Sequence, residues 1–274
     1  MATLVLVVFG GLVTNSGSAL AVPDWPTSFG HNMFLYPWSL MVGGIFYEHS
    51  HRLLGALVGL LTLGLAALLW PAGGRLRALG LTALAVVVVQ GILGGLRVIL
   101  VEPMLAIVHG CLAQAFLALL AGIVLATWPA APASAVERST RLLGLGTAGL
   151  VYLQIVFGAL LTHAGWLQPH LAGALAVFAI APVLAARLRR SGDPVAAPVA
   201  MALAVLLVVQ LVLGAGSLVA RSLPELTTPL ALTLPVAHRL AAGLLLSASL
   251  VLAVRVWAAP TPAPRWAGVV EQTV

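Results

Sequence analysis

Val8-Phe9-Gly10-Gly11-Leu12-Val13-Thr14-Asn15-Ser16-Gly17 and Val156-Phe157-Gly158-Ala159-Leu160-Leu161-Thr162-His163-Ala164-Gly165 are one segment met twice, identical at six of ten positions. The repeat extends outward. Val88-Val89-Gln90 with Leu93-Gly94 matches Val208-Val209-Gln210 with Leu213-Gly214. Aligning His109 on His238 also places Trp128 on Trp257, and His51 and His170 open the remaining pair. Apolar helices resemble one another through composition, but shared Gln, His and Trp positions do not follow from composition. A duplicated unit is the expectation.

Each copy must be a membrane unit. Of 274 residues 61% are hydrophobic and 7% charged, against about 25% charged in a soluble domain. Seven acidic and thirteen basic side chains cannot clothe a chain of this length in a water-facing surface, and disorder would need low hydrophobicity. Apolar runs predict spans near 2–20, 39–70, 76–98, 104–128, 141–163, 168–188, 196–221 and 230–257. The expected fold is an all-α membrane protein: eight transmembrane helices in two tandem four-helix bundles. With an even number of spans per unit, the halves share an orientation and are related by a pseudo-two-fold axis along the membrane normal. The boundaries are 1–128, 141–257 and a Pro-rich tail at 258–274.

The charge of +6 carries no nucleic-acid signal, because there is no lysine and no basic stripe. Nine of the thirteen arginines fall in one set of loops: Arg75, Arg77, Arg138, Arg141, Arg187, Arg189, Arg190, Arg255 and Arg265. That one-sidedness is the positive-inside signal. It places both termini in the cytoplasm and the chain in the cell (inner) membrane. The 21–38 connection is then the longest outer loop, with Trp25, Tyr36 and Trp38 suited to the lipid interface. The first span imitates a signal peptide ending at Ala19-Leu20-Ala21. It recurs in the second half and has no basic residue before it, so a retained helix is expected, with a true start further upstream. Cys111, the sole cysteine, has no internal disulfide partner.

Four histidines, His51, His109, His170 and His238, each lie near the start of an even-numbered span, at one depth on the outer side. A single histidine in a membrane helix is most often a packing residue, but ionisable groups there are costly and by default functional. Two on different helices of a four-helix unit suit an axially ligated heme, so two pairs predict two heme sites. Zinc or copper would draw on Cys or carboxylate as well, and only Glu48 and Cys111 are near. His31 reads as solvated and His163 as interfacial. His49 points roughly 160° away from His51 on a helix and is not a ligand candidate.

Glu48 sits three residues before His51 on the same helical face. The equivalent stretch before His170, Trp166-Leu167-Gln168-Pro169, has no acid. Two readings of Glu48 stay open: chemistry confined to one half, or a salt bridge to Arg52. Arg52, Arg97, Arg221 and Arg239 lie on the outer side, two of them directly after a candidate ligand. They suit either bidentate contacts to heme propionates or snorkelling to headgroups.

The chain resembles heme A synthase over essentially its full length. The resemblance is carried by Gly11 to Ser18 with Pro23-Asp24-Trp25-Pro26, Glu48-His49-Ser50-His51-Arg52, Gln90 to Gly95, His109, Gln154 to His163, His170, and His238-Arg239. It implies oxidation of heme O to heme A by successive hydroxylations of a ring methyl. It also implies a heme b cofactor on His170 and His238, substrate heme O on His51 and His109, and an acidic role for Glu48 near the methyl group. Heme O synthase and cytochrome oxidase assembly factors are the implied partners, beside the lipid bilayer. Two departures stand out. Val22 and Ser28 occupy the places where many members carry an outer-loop cysteine pair, and Thr14 stands where many carry a basic residue. The competing readings are a diheme b-type electron carrier and a heme-delivery protein.

Overall fold

A computed structural model describes residues 1–129, 131–222 and 228–261. Among them the structure is all-helical: α1 (Ala2–Asn15), α2 (Gly44–Leu69), α3 (Gly74–Leu100), α4 (Pro103–Thr127), α5 (Arg138–Ala164), α6 (Leu167–Arg189), α7 (Ala196–Ser222) and α8 (Thr228–Ala258). Helices are the form such a sequence must take, because a bilayer offers no water to backbone N–H and C=O groups. The seven helices α2 to α8 are long and apolar enough to cross a membrane, making this a multi-pass membrane protein. The Pro-rich tail from residue 262 onward and Arg265 lie outside the described residues.

The first helix corrects the expectation of a span over 2–20. It has 14 residues, a rise of about 21 Å against a hydrocarbon core of about 30 Å. It ends early because Gly17 takes φ +69°, while the Ser16 and Ser18 amides donate to the carbonyls of Leu12 and Val13. This glycine-terminated cap satisfies the last carbonyls and turns the chain. The second span also begins later than expected. Residues Trp38–Leu40 form a 3-10 turn, and Gly43 at φ +54° precedes the helix start at Gly44.

Sequence neighbours pack in order, α1 to α4 and α5 to α8, and α8 also packs against α1, α4 and α5. More than half of its span, 56%, is buried inside the protein, against 39% for α4 and 33% or less for the rest. That makes α8 the central helix. Two apolar clusters result. One, around Val58, Ala83, Phe116 and Ile123, lies among α2, α3 and α4. The other, around Leu184, Leu203, Leu252 and Val256, lies among α5 to α8 and takes in Ala118 of α4. Small residues permit the closest approaches: a Cβ on Gly144 of α5 would come within 3.4 Å of the α8 backbone at Ala253, the small-residue packing typical of membrane helices.

At the end of the bundle away from the four histidines, Asp193 is buried and pairs with Arg255 of α8 at 3.1 Å. The same carboxylate caps α7 by accepting from the Val195 and Ala196 amides, and it accepts from the Ser134 amide. Arg255 also donates to the carbonyls of Ala131 and Pro132. Although Arg255 counts toward the charge asymmetry, it works as a clasp joining α8, the α6–α7 turn and the segment after α4. Asp193→Ala leaves the half-buried Arg255 without its counter-charge and the α7 cap without its acceptor, a loss of about 1–3 kcal/mol. Thermal aggregation of the detergent-solubilised protein should occur at clearly lower temperature, and wild-type behaviour would show the clasp to be dispensable.

Candidate functional site

The four histidines meet in two pairs. His51 of α2 and His109 of α4 have ring centroids 6.4 Å apart with planes at 80°. His170 of α6 and His238 of α8 are 6.3 Å apart with planes at 72°. Neither separation allows a hydrogen bond between the rings. It is close to the separation that one metal atom between them would require: two metal–nitrogen bonds of about 2 Å plus about 1.1 Å from each nitrogen to its ring centre give about 6.2 Å. Among the described residues no group of three or more His, Cys, Asp or Glu side chains could hold a metal ion. Each pair thus presents two imidazoles, the number that an axially ligated heme would take.

Every one of these rings is seated in the same way. A Cβ built on Gly10 of α1 would lie 3.1 Å from His51 Cε1, and one on Gly94 of α3 would lie 3.2 Å from His109 Cε1. The corresponding contacts are 3.3 Å from Gly158 of α5 to His170 and 2.9 Å from Gly214 of α7 to His238. Each odd-numbered helix thus supplies a glycine notch for a histidine on the even-numbered helix that follows it. One turn before the notch, at positions 6, 90, 154 and 210, lies a residue whose backbone carbonyl is within reach of the ring. In three cases it is glutamine. Gln90 donates to the His109 carbonyl at 3.1 Å and Gln154 to the His170 carbonyl at 2.9 Å. Gln154 Nε2 also lies 3.1 Å from His170 Nδ1, and Gln210 Nε2 lies 3.3 Å from His238 Nε2. The fourth position is Leu6. The repeat made Gln90 and Gln210 visible in the sequence, but not what they hold.

Above the first pair, residues 18–41 fold onto the helix ends and do not float as a loop. Arg52 is the organiser. Its Nη1 donates to the carbonyls of Asp24 at 2.6 Å and Thr27 at 3.1 Å, and its Nη2 to Val22 at 2.8 Å and to Glu48 Oε1 at 2.9 Å. Glu48 Oε2 accepts from the Val22 amide at 3.0 Å. The salt-bridge reading of Glu48 is therefore the geometry present, and Arg52 has its terminal nitrogens committed to the loop. His49 faces the same loop: it is buried, its Nδ1 lies 3.1 Å from Ser28 Oγ, and its ring packs on Tyr36 at 5.0 Å. Tyr36 is thus an interior residue, whereas Trp38 is 77% exposed. Trp25 covers Gly95 so closely that a Cβ there would collide with the indole. Val22 and Ser28 are both fully buried.

The remaining candidates spread around this core. Arg97, in the last turn of α3, is within electrostatic range of His51, His109 and Glu48. Arg239 is within range of His238 and of Arg97, so these two cations approach from opposite halves. Neither forms an ion pair among the described residues. Arg221 is exposed at the end of α7, His163 ends α5, His31 is exposed, and Cys111 is a buried free thiol on α4.

Asp24 holds the loop tip. Burial alone would raise its carboxyl, but the Gly30 amide, the Thr27 hydroxyl and the Phe29 amide outweigh that and hold it at about 2. A depressed carboxylate stabilises the folded loop above its unfolded value of about 4, and that contribution disappears as pH falls from about 4 through 2. Amide exchange at Phe29 and Gly30 should therefore accelerate over that window, and flat protection down to pH 2 would contradict it. Arg52→Ala leaves Glu48 buried and alone and releases three loop carbonyls, at a cost of about 3 kcal/mol or more. Limited proteolysis within 18–41 should become fast. Unchanged protection would return Arg52 to the role of an anion contact.

No curated protein and no solved structure matches the chain significantly. A family model does, and the matched segment carries Glu48, His51, Arg52, Arg97 and His109 and ends one residue before His170. Residues 42–169 match the model of the COX15-CtaA family, described as cytochrome oxidase assembly protein.

Proposed function

We propose that this protein is a heme A synthase, oxidising a ring methyl of heme O to a formyl group within a protein built as two related four-helix halves. The observation that carries the reading is the pair of imidazole separations, 6.4 and 6.3 Å, each wide enough that the two rings would hold one heme iron between them. The buried Nδ1 atoms of His51, His109 and His238 have no hydrogen-bond partner, so each of these rings keeps a nitrogen free for a ligand. His51 and His109 hold substrate heme O in the N-terminal half, and His170 and His238 hold heme b in the C-terminal half. Bound heme b supplies one-electron redox chemistry to the reaction.

The chain's own part is positioning and charge. Glu48 supports the reading because, among the described residues, it is the one carboxylate three residues before a candidate ligand. Both of its oxygens already accept hydrogen bonds. It therefore acts as a held charge next to the substrate ring, fixed by Arg52, in place of a freely swinging base. The folded loop 18–41 keeps water from the outer end of the first pair. Arg97 and Arg239, with Arg221 at the end of α7, provide cations for the carboxylates of the two hemes. The arginine asymmetry supports a cell-membrane protein with its arginine-rich loops and the end of α8 cytoplasmic, working beside heme O synthase and oxidase assembly factors.

A diheme electron carrier is the second reading, favoured by the near-equal geometry of the two pairs. Co-expression with a source of heme O and extraction of the pigments separates them: a synthase yields heme b with heme O, heme A or an alcohol intermediate, and a carrier yields heme b alone. His170→Ala or His238→Ala should abolish the low-spin heme b spectrum, and its survival would defeat the ligand assignment. Glu48→Gln should keep heme b while heme A formation falls by at least about a hundredfold. Normal turnover would reduce Glu48 to a partner of Arg52.

A further inference from the structure

Beneath the first histidine pair the protein keeps a space that the second half fills. A pocket of about 100 Å³ is lined by Thr3 of α1, by Val58, Leu61, Thr62 and Leu65 of α2 and by Leu120 of α4. These are the three helices that supply the Gly10 notch, His51 and His109. The lining is four aliphatic side chains and two threonines, and the Thr62 hydroxyl is already spent on the Val58 carbonyl at 2.7 Å. Between His51 and the pocket, α2 carries Gly55 and Gly59, and a Cβ built on either would meet nothing within 4 Å. The matched positions of the second half are closed. Setting His51 on His170 puts Gly59 on Phe178, Thr62 on Ala181 and Leu65 on Leu184, and setting Gly10 on Gly158 puts Thr3 on Val151. Val151, Ala181 and Leu184 are at most 2% exposed in one core cluster, with Phe178 packed against it.

We infer that the pocket and the gap beside Gly55 and Gly59 seat the isoprenoid tail of heme O, and that Phe178 and its neighbours deny the matching place to a tailed heme. The inference rests on the heme A synthase reading and deepens it, by naming what tells substrate from cofactor. Heme O and heme b share iron and propionates, but heme O carries in addition a fifteen-carbon isoprenoid chain on the porphyrin edge opposite the propionates. With the propionates toward Arg97 and the folded loop, that chain points the other way, into the bundle. Val58 and Thr62 lie seven and eleven residues beyond His51, and Leu120 eleven beyond His109, about 10 to 16 Å along their helices and within reach of such a chain. The pocket itself has about the volume of one isoprene unit, so the earlier units lie along the two glycines. A tail that is already in lipid gains nothing by leaving water, and what distinguishes one half from the other is space to pack.

Heme titration tests this without turnover. Full-length protein in detergent, carrying heme b on the second pair, is titrated with heme O or with further heme b, and binding at the first pair is followed by difference absorbance. Wild type should bind heme O there at least about tenfold more tightly than heme b. Gly59→Phe, which copies Phe178, should remove that preference and leave the affinity for heme b unchanged. Leu61→Trp, at a pocket position 55% exposed, closes the pocket from its open side and should do the same. The heme b spectrum of the second pair shows which variants are folded, and Leu61→Trp decides the outcome if Gly59→Phe is not. Equal affinity of the wild type for the two hemes overturns the inference and leaves the two-site reading intact. A preference for heme O that survives in a folded variant does the same, as it would if a phospholipid acyl chain were the occupant. Failure of the wild type to bind either heme at the first pair removes both.

Discussion

An imidazole inside a bilayer needs room for its ring and a polar partner for its nitrogen, and only a neighbouring helix can provide either. Much of the site's architecture follows from meeting that need four times. Each histidine rides on one helix and is received by a glycine on the helix before it, which brings the two backbones close and puts a carbonyl within reach of the ring. The helix order α1 to α8 is therefore also the order of donor and receiver. Because the receiving glycines lie toward the ends of their helices and the histidines near the beginnings of theirs, all four rings come to one side. The central position of α8, packed against α1, α4, α5 and α7, then holds the two pairs in one body.

The outer connection belongs to the same design. Glu48, His49 and Arg52 share a face of the first turns of α2, and His51 lies about 60° round the helix from Glu48. A single helical segment thus turns one face to the His109 ring and another to the polypeptide that covers it. The buried Val22 amide and carbonyl, the Ser28 hydroxyl and the Tyr36 ring are all taken up by that second face. What reads as a long polar connection has an interior of its own, and its attachment is charged and hydrogen-bonded where the helix-to-helix packing is apolar.

The helical fold and the pairing of histidines were legible in the sequence because both are written in periodic signals: apolar runs of bilayer length, and His, Gln and Trp recurring at matched offsets. Other features had no such signature. The early end of α1 depends on the left-handed conformation of Gly17, within an apolar stretch that continues beyond it. Arg52 and Tyr36 could be placed at an interface by type, yet three partners of Arg52 are backbone carbonyls 25 to 30 residues away and Tyr36 packs on His49 of α2, and backbone carbonyls leave no trace in a sequence. Arg255 looked like a topogenic charge because its partner Asp193 is distant in the chain. The glutamines were visible as repeated letters, but their work depends on which side chain faces them.

Gly10 and Gly11 are adjacent, and they face different halves of the protein. A Cβ on Gly10 would press on His51, and a Cβ on Gly11 would come within 3.2 Å of Val236, two residues before His238 on α8. Both positions are closed to any larger residue for unrelated reasons, one by the ring of the first site and one by the helix that carries the second. A pair of hydrogen atoms on a short N-terminal helix thus sets the gauge of the whole assembly. Mutational drift at this dipeptide would re-space both histidine pairs before it altered any histidine.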